Sequence, residues 1–374
     1  MKIAIIGSRG IPAKYGGFET FAEGLSARLV EKGYDVTVSC EYQTPDERLN
    51  DFKGVKLSYF PFKPPHSYFL RKFYENLSDL YFLFKLTRKN DIIYFLGTEV
   101  GMFLFIPKVL KQGIQLIVNI DGVMWKRTKF NLFERWLLKV NHNFATWFAD
   151  VIVADAEEMK KFIVNNFRDK SIFIPYGVEE SETVKWNKET LKKIGLFPDF
   201  KIFKDKFWLV VARLEPENNI HMIMEGFSKS DSKYPLIVVG DFTSGKYEKK
   251  IRDIISKSPN IHLLGSIYDL ELLNMLRQHN FAYIHGHSVG GTNPSLLEAM
   301  IMKNFIVAHD NGFNREVCGD WGLYFSDSTD LMKIINEISN TSENFSFKLK
   351  SFERVKNKYS WRLVVESYCQ LFKS

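Results

Sequence analysis

The sequence predicts an α/β protein of two successive doubly wound, Rossmann-like domains facing a central cleft. Three observations predict it. Short apolar runs of strand length alternate with longer helical patterns from Lys2 to Pro175, the mark of repeated βα units and a parallel sheet. The alternation breaks over the polar, strand-poor stretch Glu179–Lys206, which reads as a linker plus a helix, and restarts at Phe207. The chain has 374 residues, more than one ordinary core holds, so two domains are expected.

The elements follow in order. Lys2–Ile6 is an apolar run that stops at a glycine, so it reads as a first strand and not as a signal peptide. A glycine-rich loop leads to a helix around Phe18–Lys32, then to strands at Val36–Cys40 and Val55–Tyr59. A long aromatic helix around Tyr68–Lys89 precedes strands at Ile92–Phe95 and Leu116–Ile120. A helix over Leu132–Phe148 and strands at Val151–Ala154 and Ser171–Pro175 complete the first series. The second has strands at Phe207–Ala212, Leu236–Val239, Ile261–Leu264, Phe281–Ile284 and Phe305–Ala308. This gives a first domain over 1–177 and a second over 178–359. The last helix, near Trp361–Phe372 within 360–374, is expected to pack back on the first domain.

Composition narrows the function classes. With 45% hydrophobic and 25% charged residues the chain is globular throughout. The net charge of +7 and the 33 Phe fit either a biased codon usage or a basic surface that meets anionic lipid or nucleic acid. No nucleic-acid-binding motif accompanies the charge, so nucleic acid is not an expected partner, though a basic nucleic-acid-binding protein stands as the non-enzymatic alternative. Three dispersed cysteines (Cys40, Cys318, Cys369) form neither a disulfide framework nor a zinc site, which suits a reducing cytoplasm. No run of about 18 apolar residues is long enough to span a bilayer.

Candidate chemistry sits where strands end. His285-Gly-His-Ser-Val-Gly290-Gly291-Thr292-Asn293-Pro294 runs from a strand into a helix opened by an N-cap Asn and a Pro at the first helical position. Two glycines allow backbone to approach a ligand, and the helix start favours an anion such as phosphate. Glu298, about a turn further on, could accept hydrogen bonds from sugar hydroxyls. Arg213, at the end of the first strand of the second series, could grip phosphate oxygens or pair with Glu215 or Glu217. Asp241 and Lys246 mark another strand-end loop. In the first series, Arg9, Lys14, Tyr15, Gly16, Gly17 and Glu19 form a loop that could wrap a diphosphate or line an acceptor site. Its glycine spacing is neither the dinucleotide fingerprint nor a P-loop. Asp121 follows a strand and could orient an acceptor hydroxyl, with Trp125, Lys126 and Arg127 close behind. The chain has neither an Asp-x-Asp pair nor a His-x-x-x-His, so no metal is demanded. His285 and His287 read as loop or core histidines rather than ligands.

In this order the pieces resemble a glycosyltransferase of the GT-B fold in the large retaining family 4, over nearly the whole chain. The matching segments are Gly16-Gly17, Asp150–Asp155 with Ile174–Val178, Arg213-Leu-x-Pro-Glu217, and Gly312–Glu316 followed by Gly322-Leu. Glu298 matches the second glutamate of the family's E-x7-E signature, which implies that it holds the ribose. The first glutamate should stand at 290, where this chain has Gly290, and the customary lysine near 218 is Asn218. The loop strings resemble a bacterial rhamnosyltransferase-type subgroup, which implies dTDP-L-rhamnose as donor and no cofactor. It also implies a saccharide acceptor, often on a polyprenyl diphosphate, in capsule, O-antigen or cell-wall assembly. Taken together with the strand-end reading, Asp121 and Arg213 are the catalytic candidates, and Gly16, Gly17, Asp241, Lys246, Gly290, Gly291, Thr292, Asn293 and Glu298 the other donor-binding ones. Arg9, Lys14, Tyr15, Glu19, Trp125, Lys126 and Arg127 lie on the acceptor side. The aromatic basic helix 68–89 could meet anionic lipid from the cytoplasmic face, or its aromatics could fill the first core. A nucleotide-sugar 2-epimerase of the same fold is the alternative enzyme.

Overall fold

The apolar runs become the strands of two separate sheets in a computed structural model. It describes residues 1–374 except 14–15, 121, 128–129, 188, 190–205, 243–244, 340–344 and 374. The chain divides into two compact units, Met1–Gly177 with Trp361–Ser374, and Val178–Ser360.

In the first unit the strands are β1 (Lys2–Ile6), β2 (Asp35–Cys40), β3 (Asp51–Phe52), β4 (Val55–Tyr59), β5 (Ile92–Leu96), β6 (Gln115–Asn119), β7 (Val151–Ala154) and β8 (Ser171–Phe173). Their order is β3-β4-β2-β1-β5-β6-β7-β8, and every pairing is parallel except β3 with β4. Ile3 to Ile6 are fully buried, as expected for a central strand covered on both faces. The two-residue strand β3, which the sequence did not mark, exists because Lys53 and Gly54 both take positive φ (53° and 77°). That pair closes a tight hairpin turn whose twist suits antiparallel strands.

Helices α1 (Gly17–Glu31), α2 (Tyr68–Thr87), α3 (Ile106–Leu110) and α4 (Leu132–Phe148) connect these strands. Asn131 and Glu134 form a reciprocal capping box that fixes the start of α4. The aromatics of α2 divide between two environments. Tyr74, Phe82, Leu83 and Leu86 are buried, whereas Leu70, Phe73, Leu77 and Phe84 stand exposed. The last helix, Trp361–Leu371, belongs to this unit. Trp361 stacks on Phe21 with ring centroids 6.0 Å apart and lies under the Arg28 guanidinium at 4.8 Å. A Cβ on Gly24 or Gly177 would come within 2.4 or 2.3 Å of the Trp361 indole, so both positions must be glycine for the helix to seat.

The second unit has strands β9 (Trp208–Val211), β10 (Leu236–Val239), β11 (Ile261–Leu263), β12 (Ala282–His285), β13 (Ile306–His309) and β14 (Leu323–Phe325). They form an all-parallel sheet in the order β11-β10-β9-β12-β13-β14. β14 is the one strand here that the sequence left unread. The chain runs outward from β9 to β10 and β11, then returns to the other side of β9 with β12. This reversal makes the β9/β12 junction the switch point, where doubly wound sheets hold ligands at their carboxyl ends. In the first unit the corresponding junction lies between β1 and β5. Of the expected linker helix, most falls outside the described residues.

Candidate active site

In the second unit three loops are stitched together at the β9/β12 switch point. After β9 the chain passes through Arg213 to Asn219, and after β12 through Gly286 to Asn293. The Nδ2 of Asn219 donates to the Gly286 carbonyl at 2.9 Å, and the amide and hydroxyl of Ser288 both donate to the Glu217 carbonyl at 3.0 and 2.8 Å. Gly286 has no room for a side chain, because a Cβ there would sit 2.2 Å from the Asn218 carbonyl oxygen. The loop after β13 joins through two amides: Asn311 and Asn314 each donate to the His287 carbonyl at 2.9 Å. All these donors are amide or hydroxyl groups answering carbonyls that no sheet or helix pairs, which is how irregular backbone is kept in one shape.

Arg213 emerges from this frame with 45% of its side chain exposed. Its contact with Glu215 is long, 3.8 Å, so the guanidinium remains able to receive an anion. Asn218, where a lysine was expected, is buried and donates to the Arg213 carbonyl at 2.7 Å. It positions the arginine's backbone in place of adding a charge. Gly240 approaches equally closely, since its Cβ would lie 1.8 Å from the Ala212 carbonyl oxygen. Asp241 is exposed, and its carbonyl accepts from the Leu214 amide at 2.9 Å. Lys246 lies on the helix Gly245–Ile255, and its side chain is outside the described residues.

The helix Pro294–Ile301 opens as the sequence predicts. The Asn293 side chain accepts from the Ser295 amide at 3.0 Å and from its hydroxyl at 2.8 Å. Gly290 takes φ 139°, and a Cβ added there would meet nothing within 4 Å, so the space over the loop is open. Gly291 is partly exposed and Thr292 is buried. Glu298 is anchored by the guanidinium of Arg277, a side chain only 4% exposed on the neighbouring helix Leu270–Gln278. Its carboxylate, itself 33% exposed, is thereby aimed while keeping acceptor capacity.

Along β12 and its extension, Tyr283, His285 and His287 occupy alternate positions and stack in a file. Ring centroids are 6.1 Å apart for the first pair and 4.3 Å for the second. Burial holds His285 well below the ordinary histidine range, with His287 and His309 adding to the effect. It is therefore neutral at pH 7, as expected of a core histidine. Tyr283 is pushed up to about 12 by burial and donates to the Val211 carbonyl at 3.1 Å.

The first unit gathers a different set at the β1/β5 junction. Gly16 takes φ 119° at the cap of α1, with Glu19 folded against it and accepting from the Arg9 amide at 3.1 Å. Gly17 is clear of neighbours. The Arg9 guanidinium meets Glu75 at 3.0 Å and Glu41 at 3.7 Å, while Arg71 holds Glu41 at 2.6 Å. Asp79 faces Glu99, Glu75 and Glu41, and burial followed by these like charges keeps its carboxyl well above the usual range. Sequence reasoning missed Glu41, Arg71, Glu75, Asp79 and Glu99, which come from three separate segments of the chain. Trp125 packs on His142 at 4.5 Å, Lys126 lies over Phe162 at 4.3 Å, and the Arg127 carbonyl accepts from Arg135 at 3.0 Å. Lys14, Tyr15 and Asp121 lie outside the described residues. Among the described residues no three His, Cys, Asp or Glu side chains are grouped to hold a metal ion.

Two parallel doubly wound sheets of this kind define the GT-B class of fold. The Anabaena HepE protein in complex with UDP and glucose has the same fold, with a TM-score of 0.77 at 15% identity over 100% of this chain and 99% of that one. Sucrose-phosphate synthase from Thermosynechococcus elongatus matches with a TM-score of 0.77 at 14% identity, covering 100% and 98%. The family models divide the chain in two. Residues 196–364 match "Glycosyl transferases group 1", and residues 1–179 match a domain of unknown function, DUF1972. Together the two matches cover nearly the whole chain, each of them under half of it. An uncharacterized glycosyltransferase of Methanocaldococcus jannaschii is 26% identical over 177 residues, 43% of this chain and 42% of that protein. An uncharacterized 42.6 kDa protein in the cps region of Klebsiella pneumoniae is 25% identical over 120 residues, 32% of this chain and 28% of that protein. The matched stretches span less than half the length of these curated relatives.

Proposed function

We propose that the protein is a retaining glycosyltransferase that moves a sugar, L-rhamnose from dTDP-L-rhamnose, onto a saccharide acceptor in surface polysaccharide assembly. The observation that carries the reading is the stitched switch point of the second unit. There an available guanidinium, a Gly-Gly turn, a capped helix start and an anchored carboxylate converge within a group 1 glycosyl transferase domain. The diphosphate would lie against Arg213 and the amides of Gly291 and Thr292, with Glu298 on the ribose and Asp241 and Lys246 at its edge. Arginine and helix amides can meet the charge of a departing diphosphate without a metal. The solved relative HepE, crystallised with UDP and with UDP-glucose, supports a nucleotide-sugar donor.

The choice of rhamnose rests on the resemblance of the loop strings to the rhamnosyltransferase-type subgroup, and Gly290 adds only that the donor differs from the family's usual one. A glutamate there would hold donor hydroxyls, and the open space over Gly290 suits a donor recognised by other groups. The acceptor-side groups belong to the first unit: Arg9, Glu19, Trp125, Lys126 and Arg127, with Lys14, Tyr15 and Asp121 in the same loops. Asp121 would orient the acceptor hydroxyl, and attack from the face that the diphosphate leaves gives retention. A lipid-linked acceptor would bring the protein to the inner face of the cytoplasmic membrane. A thermal-shift panel of nucleotides and nucleotide sugars tests the reading. dTDP-L-rhamnose or dTDP should raise the Tm most. A panel in which no nucleotide shifts the Tm would overturn it, and a larger shift with UDP-glucose would overturn the rhamnose assignment.

A further inference from the structure

Helix α4 faces the wrong way for an ordinary surface helix. Its inward side carries Asn141, His142, Ala145 and Thr146, which are buried. Its outward side carries Leu132, Phe133, Trp136 and Trp147, which are 84, 68, 60 and 54% exposed. At about 100° per residue these four fall within one stripe roughly 100° wide. A helix that places aromatics toward solvent and amides toward the core is shaped by something other than the core.

The stripe has neighbours. On α2 the exposed Leu70, Phe73, Leu77 and Phe84 form a second outward row about 21 Å long. The N-terminal ends of the two helices are joined by Lys72 to Glu134 at 3.0 Å. Between them runs segment 101–110, tied to α4 by the Met102 amide to Asn141 Oδ1 at 3.1 Å and packed on α2 through α3. It exposes Phe103, Phe105 and Val109. Among the described residues, every large apolar side chain that stands exposed belongs to the first unit except Tyr268 and Leu270. A concentration of this size marks an interaction surface.

Charge selects the partner. On α4 itself Arg135 and the exposed Lys139 stand against the single acid Glu134, which is already engaged by Lys72 and by its own cap. At the far end of α2, Lys85, Arg88 and Lys89 are exposed. Tryptophan and phenylalanine beside lysine and arginine, on a helix lying flat, suit the headgroup layer of an anionic bilayer. A second copy of this basic face would meet like charge.

We infer that α2, segment 101–110 and α4 together form a docking face for an anionic lipid bilayer, with Phe133, Trp136 and Trp147 as its principal anchors. No described helix is long and apolar enough to cross a membrane, so the contact is peripheral. The inference is independent of the sugar transferred, because lipid binding needs neither donor nor acceptor.

Co-sedimentation of the full chain with vesicles of phosphatidylglycerol and phosphatidylcholine, against phosphatidylcholine alone, tests it. The wild type should partition onto the anionic vesicles and less so as salt rises. The triple variant F133S/W136S/W147S should lose about tenfold or more in partitioning with an unchanged Tm. Lys139→Gln, which leaves the aromatics in place, should lower partitioning about fivefold, the worth of one cation near such a surface. Wild type that stays in the supernatant with anionic vesicles at low salt would overturn the inference. So would triple-variant binding equal to wild type, or sedimentation velocity showing a wild-type dimer that the triple variant abolishes.

Discussion

Replacing Arg213 by alanine separates the energetics of the fold from those of the reaction. In the structure this side chain is 45% exposed and its ion contact with Glu215 is 3.8 Å, so its loss should cost stability no more than about 1 kcal/mol. For a unit of this size that is a fall of about 2–4 °C in Tm. The Asn218 bond goes to the Arg213 carbonyl and survives the substitution. The reaction should respond on another scale. Removing one preorganised group that meets developing charge typically costs about 2.7–4 kcal/mol, or about 10²–10³ in turnover. Arg213→Lys should recover only part of this, because an ammonium supplies the charge but not the planar fork. Initial rates of nucleotide release from the donor, measured beside thermal melts, read both quantities. Turnover within about threefold of wild type at an unchanged Tm would refute the assignment of the diphosphate to this arginine.

We make three further predictions. Gly286→Ala drives a methyl to 2.2 Å from the Asn218 carbonyl, so it should cost about 1–3 kcal/mol and weaken nucleotide binding together with stability. Unaltered melting and unaltered nucleotide titration would contradict the stitched-loop description. Arg277→Ala leaves Glu298 without its buried partner and should destabilise by about 2–4 kcal/mol, less than a fully buried pair because Glu298 is 33% exposed. Denaturant midpoints measure this, and a loss under about 1 kcal/mol would show that the pair does not hold the helix. The third prediction concerns pH. Burial lowers His142 to about 4, while the unfolded chain protonates near the ordinary value of 6.5. Between those values the unfolded state binds the extra proton, so stability is complete above about pH 6.5 and falls as pH drops toward 4. By pH 4.5 this one residue should remove about 2–3 kcal/mol. Melting curves from pH 7.5 to 4.5 should show the fall, His142→Gln should lessen it, and a flat profile would contradict it.

The strands were legible because each is a short apolar run stopped by glycine, proline or a polar cluster, and sheets covered on both faces require such runs. β3 and β14 were missed because neither runs on into a longer apolar stretch, as the equally short β8 and β11 do at Ile174 and Leu264. The helix starting at Pro294 was legible from its cap alone, and with it the Gly290-Gly291 turn. Arg277 as the partner of Glu298 was not, since the two residues stand on different helices, 21 apart in sequence, with no local pattern. The asparagine stitches at 218, 219, 311 and 314 escaped notice for a related reason. An amide donating to a distant carbonyl has no spacing rule, and Asn218 registered only as a missing lysine. The carboxylates Glu41, Glu75, Asp79 and Glu99 meet only because the sheet brings β2, α2 and the end of β5 together. The apolar spacing marked α2 and α4 as helices, but a period gives no sign of which face turns inward. In α4 the small and amide residues went in and the aromatics went out.

The central claim is sugar transfer from a nucleotide donor held by the second unit. Its most direct test is nucleotide release from dTDP-L-rhamnose with and without a polyprenyl-diphosphate-linked saccharide, with the anomeric configuration of the product read by NMR. Release that depends on acceptor and gives a product with the donor's configuration is the predicted result. Release without acceptor, accompanied by a rearranged sugar, would identify an epimerase instead, and inversion at the anomeric carbon would contradict the proposed geometry.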